Sequence, residues 1–448
     1  MTGLQTCIRA LPGGLAAAAL AAGRATGPHR SVCTRGAAAL LTALLAACGG
    51  DAVPSADAGE AGRLVIVGGA LAEENAPVYH AVLGALEGPG PLCVLPTASG
   101  APEESMRTAV ERFAAYAEAR AEGSEARAVV GLWITADNAD AASDPGMVGR
   151  LSGCGGYWFV GGSQSRIVRA FRPGGGITPA YEALMMRWRE GAVVAGTSAG
   201  AAMMSSASIA GGSSGDALAH GVARDADGDG EPDGPGVWIM DGMGFVPWAI
   251  VGQHHLARGR WGRLVAAAIE ERRLALGIDE NTALVVDGGT ARVIGASSVL
   301  VVDPSAATRG TDPVTASGVR LELLGPGDRL DIVSRDVVRP TEGRAALRPD
   351  PAPASGTAEA EGPDGRPSPG AIPADPFERW AFLRVLHGFA VGELDAVTLD
   401  GGARLLGLRA APDFRAYLPE DAAELPEPGL PGGLSAGPLL LDVVVPGR

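Results

Sequence analysis

Residues 192–202 read AVVAGTSAGAA, and this stretch decides the fold class. An apolar run leads straight into Ser198, which lies between Gly196 and Gly200 in the pattern G-x-S-x-G. Small residues on both sides of a hydroxyl are typical of a nucleophile elbow, a strained strand-to-helix turn that lifts a serine above a sheet. Because glycine occurs 67 times, the five-residue pattern is only moderately specific on its own. The strand-like run in front of it favours a serine nucleophile.

The sequence around this turn alternates strand-like and helical segments. Short apolar runs, typical of strands buried on both faces, lie at 63–69, 92–95, 129–134 and 157–160. Helical patterns occupy 102–121 and 178–190. This alternation predicts an α/β fold, a doubly wound and mostly parallel sheet with flanking helices and the nucleophile elbow at a strand–helix turn. A later helical pattern at 377–386 indicates a small C-terminal extension.

Composition predicts five segments along the chain. They are a signal peptide with a lipobox at 1–48, a tether at 49–62, a catalytic domain at 63–335, a Pro/Ala/Gly-rich linker at 336–376 and a C-terminal extension of unknown role at 377–448. We see no internal repeat. The domain that carries Ser198 is therefore expected to be preceded by a targeting region.

The N-terminal region reads as an export signal. Arg35 precedes a short apolar run that ends in Leu45-Ala46-Ala47-Cys48, and this run is shorter than the roughly 20 residues of a membrane span. The ending resembles a bacterial lipobox, in which the cysteine is lipidated. We therefore predict an exported lipoprotein, anchored through Cys48 at the cell surface or in the periplasm. The alternative is an ordinary signal peptide with a chance cysteine.

Charge and composition exclude several classes of protein. The net charge is −15, and every one of the 36 basic residues is arginine. An acidic chain without a basic stripe is not a nucleic-acid binder. Without lysine, no Schiff base, Ser–Lys dyad or phosphate-loop lysine can operate. Cys93 lies in an apolar strand-like run, so we expect it to be a buried free thiol, with a bridge to Cys154 as the alternative.

A serine nucleophile needs a base, and the chain contains only six histidines. The densest polar cluster, at 252–264, contains His254 and His255. Asp279 and Glu280 follow it and could orient an imidazole. The order Ser, His, acid differs from that of α/β-hydrolases, in which the acid precedes the histidine. This order disfavours a lipase-like esterase.

At this point the chain resembles the cyanophycinases, in the serine peptidase family that also holds bacterial aspartyl dipeptidases. The resemblance covers about residues 63–332 and rests on seven blocks in order. They are LVIVGGA (64–70), LPTASG (95–100), FVGGSQ (159–164), AGTSAGA (195–201), QHHLARGRWGRL (253–264), GIDENTA (277–283) and LLGPGDRLDI (323–332). The resemblance implies a fold like that of class I glutamine amidotransferases.

The resemblance also implies roles for individual residues. Ser198 would be the nucleophile, His254 the base and Glu280 the third member of the triad. Backbone N–H groups of Ala199 and of the Gly161-Gly162 turn would hold the oxyanion. The substrate-binding positions would be Gln164, Gln253, Arg258, Arg260 and Arg263. The family's usual Asp-Gln-His-Phe reads Gly-Gln-His-His here, so Gly252 replaces an aspartate and His255 is a second candidate base.

The implied activity is hydrolysis of cyanophycin, a poly-aspartate that carries arginine on each β-carboxyl, to β-aspartyl-arginine dipeptides. The alternatives are an aspartyl dipeptidase of the same family and an inactive surface lipoprotein that binds peptides. The expected partner is cyanophycin or an aspartyl peptide, with no nucleic acid and with membrane contact only through the lipid. The oligomeric state stays open, a homodimer included.

No cofactor is expected for catalysis, but an acidic loop has the spacing of a calcium site. Its acids occupy positions 1, 3, 5 and 9 of the loop, with glycine at position 6, and are Asp225, Asp227, Asp229 and Asp233. Position 12 is Gly236, so the usual bidentate glutamate is missing. A structural calcium ion and a merely solvated loop are equally consistent with this pattern.

Overall fold

The computed structural model describes residues 62–86, 88–121, 125–225, 231–347, 372–422, 425 and 430–446. The predicted signal peptide, the lipobox with Cys48, and the tether up to residue 61 lie outside these ranges. So do Asp227 and Asp229 of the acidic loop and most of the predicted linker. The candidate catalytic residues all lie within the described part.

Strands and helices alternate through the first half of the described chain. The helices are α1 (Ala76–Gly84), α2 (Pro102–Arg120), α3 (Pro145–Ser152), α4 (Gln164–Phe171), α5 (Pro179–Arg189), α6 (Ala199–Ala202), α7 (Ser214–His220), α8 (Trp261–Glu271) and α9 (Ala381–Val391). The first strands are β1 (Leu64–Val67), β2 (Leu92–Leu95), β3 (Val129–Gly131), β4 (Gly156–Phe159), β5 (Val193–Thr197), β6 (Ala207–Gly211), β7 (Val222–Ala223), β8 (Val237–Asp241) and β9 (Ala249–Gln253). The later strands are β10 (Leu274–Ile278), β11 (Thr282–Asp287), β12 (Thr290–Gly295), β13 (Val299–Asp303), β14 (Thr308–Arg309), β15 (Ala316–Leu324), β16 (Arg329–Asp331), β17 (Val337–Val338), β18 (Arg344–Leu347), β19 (Ala396–Asp400), β20 (Leu405–Pro419) and β21 (Ser435–Val444).

The first sheet contains the predicted parallel strands. Its order is β17-β16-β12-β11-β1-β5-β4-β2-β3, and the five strands from β1 to β3 in this order run parallel. The strands β1, β2, β4 and the first four residues of β5 are fully buried, as their near-continuous apolar sequences predict. The α/β fold is therefore confirmed. Because β1 and β5 pair in parallel, with Val67 opposite Thr197, Gly68 and Ser198 leave the sheet at the same edge.

Helices cover both faces of this sheet, as a doubly wound fold requires. On one face, α1 and α2 pack on the sheet through the aromatic side chains of Tyr79, Phe113 and Trp158. On the other face, α4 and α5 contribute Ile167, Phe171 and Leu184 to the larger core. The edge that carries Ser198 thus belongs to a sheet that is buried on both faces. None of the helices in the described ranges combines the length and the hydrophobicity that a membrane span needs.

A second sheet of nine strands was not predicted. Its main path is β18-β20-β21-β15-β13-β10-β9, with β14 and β19 at the side, and only β9 and β10 pair in parallel. The C-terminal extension supplies β19, β20 and β21, and β21 pairs with β15 of the preceding domain. The extension therefore shares a sheet with the segment that carries the candidate acid. The domain boundaries themselves stay a prediction.

The prediction of a free thiol at Cys93 is wrong, because Cys93 and Cys154 form a disulfide. Cys93 lies on β2, which pairs in parallel with β4, and Cys154 lies just before β4 begins. The pairing brings their Cα atoms to 5.9 Å, within the range that a disulfide needs. The two residues are 61 positions apart in the sequence, so only the strand order reveals that they are neighbours.

Candidate active site

The predicted elbow follows β5 directly. Ser198 holds a left-handed backbone, with φ 54° and ψ −109°, and its N–H donates to the carbonyl of Val67 at 2.9 Å. A Cβ on Gly196 would lie 2.4 Å from the carbonyl oxygen of Gly200, and a Cβ on Gly200 would lie 2.3 Å from that of Phe159. Both positions therefore require glycine, because a neighbouring backbone carbonyl lies too close to leave room for a side chain. The turn presents the serine hydroxyl at the carboxyl edge of the parallel strands.

His254 follows β9 and faces this hydroxyl. Its Nε2 lies 2.8 Å from Ser198 Oγ, and its Nδ1 lies 2.8 Å from Glu280 Oε1. Glu280 is an acceptor only, so Nδ1 carries the proton that it donates to the carboxylate. Nε2 is then free to accept the serine proton. The structure thus brings together the three residues of the predicted triad, in the geometry of a nucleophile, a base and an orienting acid.

Two glycines at the end of β1 hold this arrangement in place. The carbonyl of Gly68 accepts the His254 N–H at 2.9 Å, and the carbonyl of Gly69 accepts the Asn281 N–H at 2.8 Å. A Cβ on Gly69, whose φ is 115°, would lie 2.1 Å from His254 Cε1. The imidazole therefore packs directly on the Gly69 backbone. Sequence reasoning placed these glycines at a strand end but gave them no part in the site.

Asp279 is a second carboxylate that supports the histidine turn. It is fully buried, and its Oδ1 accepts the N–H groups of Leu256 at 3.1 Å and of Ala257 at 2.9 Å. Its Oδ2 accepts the hydroxyl of Ser297 at 2.8 Å. Burial raises the pKa of Asp279 to about 6, although these hydrogen bonds oppose the rise. The sequence showed Asp279 beside Glu280, and the structure separates them into a residue that fixes the turn and a residue that contacts the imidazole.

Burial and charge set the protonation of the triad. Burial, helped by the nearby Arg258 guanidinium and opposed by Glu280, lowers the pKa of His254 to about 4. For Glu280, burial raises the pKa, but hydrogen bonds from His254 and Arg258 outweigh it, so the net shift is downward. At neutral pH the site therefore holds a neutral imidazole and an ionised carboxylate. This is the protonation state in which a histidine accepts a proton from serine.

His255, the second candidate base, does not face the serine. It is buried, and neither of its ring nitrogens has a hydrogen-bond partner among the described residues. A Cβ on Gly252 would lie 3.1 Å from His255 Nδ1, and a Cβ on Gly277 would lie 2.3 Å from its Cδ2. The ring therefore packs over two paired glycines of β9 and β10. Gly252, where the sequence resemblance implies an aspartate, lies against this buried ring.

Two of the predicted substrate-binding arginines contact other members of the cluster. Arg258 donates from Nε to Glu280 Oε1 at 2.9 Å and is half exposed. Arg260 is hydrogen-bonded to the side-chain oxygen of Gln253 and contacts its backbone carbonyl at 3.4 Å. These residues place positive charge beside the triad. Their role toward a substrate stays a prediction.

The remaining predicted substrate residues are buried. Gln164 donates its side-chain amide to the carbonyl of Ile209. Arg263 donates to the carbonyl of Gly212 at 3.0 Å, and burial lowers its pKa to about 9. In the described chain, none of the five predicted substrate residues lines the cavity of about 500 Å³ that opens beside Ser198 and His254.

The predicted oxyanion residues lie next to the serine. A Cβ on Gly161 would lie 3.3 Å from Ser198 Cβ and 3.9 Å from its Oγ, so this backbone borders the nucleophile. Gly162 has a φ of 143°, and a Cβ there would lie 2.0 Å from the carbonyl oxygen of Ala98. Ala199 is buried and follows the serine at the start of α6. Two glycines and an alanine thus leave room for a substrate carbonyl, while their hydrogen bonds to it stay a prediction.

Metal binding finds no support in the described residues, because no group of three or more His, Cys, Asp or Glu there could hold a metal ion. Of the four aspartates of the acidic loop, Asp225 and Asp233 are described, whereas Asp227 and Asp229 lie outside the described residues. The calcium site stays a prediction.

Comparison with known proteins confirms the resemblance found in the sequence blocks. The family model described as Peptidase family S51 matches residues 161–294, which include the three residues of the triad. Cyanophycinase of Trichormus variabilis is 36% identical over 198 residues, which are 42% of this chain and 60% of that protein. Cyanophycinase of Synechococcus elongatus is 31% identical over 218 residues, 46% of this chain and 62% of that protein. The chain spans about 60% of the length of these relatives.

Among solved structures, a peptidase from an acI-B1 Actinobacterium is similar to 60% of this chain and 97% of its own. The sequence identity is 18% and the TM-score is 0.43.

Proposed function

We propose that the protein is a serine-type peptidase that hydrolyses cyanophycin to β-aspartyl-arginine dipeptides. The observation that carries the proposal is the continuous hydrogen-bonded chain from Ser198 through His254 to Glu280, built on a strained elbow at the edge of a parallel sheet. The names of the similar relatives support the choice of substrate. A nucleophile within hydrogen-bonding distance of a base, which a third group orients, is the arrangement that acyl transfer needs.

In the first half of the reaction, Ser198 Oγ attacks the carbonyl carbon of an aspartyl peptide bond. His254 Nε2 takes the serine proton, and Glu280 stabilises the resulting imidazolium through Nδ1–H. The backbone N–H groups of Gly162 and Ala199 would stabilise the negative charge on the carbonyl oxygen. The imidazolium then donates its proton to the leaving nitrogen, the C–N bond breaks, and an acyl-serine ester remains.

In the second half, water attacks the acyl-serine carbonyl. His254 removes a proton from the water and returns it to Ser198 Oγ as the ester C–O bond breaks. The free carboxylate product leaves, and the resting triad is restored. Every step uses groups of this chain and one water molecule.

The test is to incubate insoluble cyanophycin with purified protein and to identify soluble products by mass. We expect β-aspartyl-arginine from the wild type. The Ser198→Ala variant should lose activity by about 10⁴- to 10⁶-fold, because alanine fits the elbow but has no nucleophile. Near-normal turnover by this variant would contradict the serine mechanism.

The same assay separates the alternatives. Cleavage of short aspartyl dipeptides, without release of product from the polymer, would replace cyanophycinase activity with an aspartyl dipeptidase. Peptide binding without turnover by the wild type would favour the inactive lipoprotein.

We further propose that the protein is exported and anchored through a lipid on Cys48. The lipobox-like ending of the apolar run supports the anchor. The Cys93–Cys154 disulfide supports export, since disulfides persist mainly in oxidising compartments. A diacylated cysteine carries two chains, which suffice for stable anchoring where one chain is marginal.

Fractionation of cells that express either the wild type or Cys48→Ala tests the proposed localisation. We expect the wild type with the membranes and the variant in a soluble or uncleaved form. Recovery of the wild type in the cytoplasm, with residues 1–48 retained, would refute export and leave the catalytic proposal intact.

A further inference from the structure

The cavity beside the catalytic serine is formed between the sheet edge and α2. Ser198 and His254 line one part of it, and α2 contributes Glu104, Thr108 and Arg112 from successive turns of one helix face. Its volume of about 500 Å³ exceeds what a water molecule or a single methyl group needs. A substrate bound at Ser198 can therefore place a side chain against α2.

Aromatic side chains form a rigid apolar wall of this cavity. Tyr79, Phe113 and Trp158 all line it and are almost fully buried. The ring centroids of Phe113 and Trp158 are 4.8 Å apart, and those of Tyr79 and Phe113 are 5.1 Å apart, both in edge-on contact. Such a packed wall is held in place by its neighbours. It suits the methylene chain of a long side chain, which can bury its stem on apolar surface and keep a charged tip in water.

The charged residues of α2 favour a substrate side chain that ends in a positively charged group. Arg112 forms an ion pair with Glu73, so its charge is compensated. Glu104 is exposed in the cavity, and it has no ion-pair or hydrogen-bond partner within the described ranges. Among the charged side chains that line the cavity, Glu104 is therefore the one whose charge no described residue neutralises. A guanidinium group is the cation that pairs best with a carboxylate, through two parallel hydrogen bonds.

We propose that this cavity is a subsite for a cationic side chain of the substrate, with Glu104 as the specificity-determining acceptor of its guanidinium group. The inference rests on the proposed peptidase function and deepens it. Glu104 would select a positively charged substrate at a position other than 252. Gly252, where the sequence resemblance implies an aspartate, has no carboxylate and lies against the buried His255 ring.

The test compares β-aspartyl-arginine substrates with otherwise identical ones that contain citrulline, which keeps the shape of arginine and removes the charge. Hydrogen bonds to charged groups commonly contribute enough for a preference of about tenfold or more. We expect the wild type to prefer arginine by at least about tenfold in kcat/KM. Glu104→Gln should reduce that preference to near unity, mainly through KM for the arginine substrate. Salt should weaken the preference of the wild type, because the charges are exposed.

Glu103→Gln is the matched control, since Glu103 is an exposed neighbour in the same helical turn and does not line the cavity. It should keep the wild-type preference. Binding of both peptides to Ser198→Ala, alone and combined with Glu104→Gln, gives a second measurement that needs no turnover. An arginine preference unchanged by Glu104→Gln in active enzyme and in binding would overturn the subsite. Failure of the wild type to hydrolyse any aspartyl peptide would instead overturn the proposed function.

Discussion

Four residues within or next to the predicted triad hold left-handed backbone conformations that glycine adopts more readily, namely Ala70, Ser198, His254 and Asn281. Each such conformation costs about 1 to 3 kcal/mol and persists only where surrounding contacts fix it. For three of the four, the contacts are backbone hydrogen bonds to Val67, the last residue of β1, and to Gly68 and Gly69, which follow it. The strain is thus concentrated where nucleophile, base and acid meet. This is the pattern of a pre-organised reaction centre, in which the chain holds its groups in place before substrate binds.

The two adjacent histidines are predicted to be unequal. His254→Ala should cripple hydrolysis, because His254 is the imidazole within hydrogen-bonding distance of Ser198. His255→Phe should retain activity, since the His255 ring is buried over glycines and neither of its nitrogens has a hydrogen-bond partner among the described residues. Rates for both variants on one substrate check the assignment. The reverse pattern of activities would show that His255 is the base.

The buried His255 also predicts a difference in stability with pH. Burial lowers its pKa well below the ordinary value of 6.5, so the unfolded chain binds its proton more readily than the folded one. Stability contributed by this neutral ring is fully present above pH 6.5 and is lost as pH falls below it. In His255→Phe, the free energy of unfolding should decrease less steeply as pH falls than it does in the wild type, by up to about 1.4 kcal/mol per pH unit. Denaturant unfolding at pH 5 to 7 measures the slope, and identical slopes would contradict the prediction.

The low pKa of His254 predicts an acid-tolerant enzyme. The base must be neutral, so kcat/KM should fall as pH drops through about 4 and not through 6.5. Arg258→Gln removes a positive charge that lowers this pKa, so the acid limb should move to higher pH. Arg379→Gln is the control, because Arg379 lies 3.9 Å from the other oxygen of Glu280 and is not among the charges that lower the His254 pKa. An acid limb that stays in place in Arg258→Gln would show that this guanidinium does not set the pKa.

At the scale of elements, the segment that follows β1 positions His254, the candidate base. A Cβ at Gly69 would collide with the imidazole of His254, so Gly69→Ala should displace the ring. Misplacing a catalytic group by about 1 Å can cost 10²-fold in rate, and we expect a loss in kcat of at least that size. Gly402→Ala is the matched control, since Gly402 also has a positive φ but meets no atom within 4 Å. Both variants should lose about 1 kcal/mol of stability from backbone strain. Equal activities would show that the contact with His254 does not matter.

The elements that could be predicted from the sequence are those with local signals. The strands β1, β2, β4 and β5 are short apolar runs, and the elbow adds glycines that only a tight turn explains. The second sheet lacks such a signal, because its central pairing joins β15 to β21 across more than a hundred residues. The Cys93–Cys154 bridge was missed for the same reason. Glu104 was missed because an exposed acid in the first turn of a helix is ordinarily a solvated residue.

At the scale of the whole molecule, the C-terminal segment and the catalytic segment share one hydrophobic core. Trp261 of α8, the helix after the histidine turn, stacks on Phe382 with ring centroids 3.9 Å apart. Its Nε1 donates to the carbonyl of Pro376 at 2.8 Å. The same buried cluster includes Leu441 of β21. The extension therefore covers the helix that follows the candidate base, and its packing should contribute to the stability of the site.

Leu441→Ala tests this coupling, because the side chain is fully buried in the shared core. Removing a buried leucine commonly costs about 2 to 5 kcal/mol, so the unfolding midpoint should fall clearly while the triad remains intact. Val444→Ala, in the same strand but 38% exposed, should cost less than about 1 kcal/mol.

A chain that ends after residue 371 should not form the fold of the preceding domain, since β15 would lose its partner β21 and Trp261 would lose the packing of Phe382. If that shortened chain unfolds cooperatively at the wild-type temperature and stays active, the extension is an independent module. If it is insoluble or inactive while Leu441→Ala is merely destabilised, the second sheet is part of the peptidase itself.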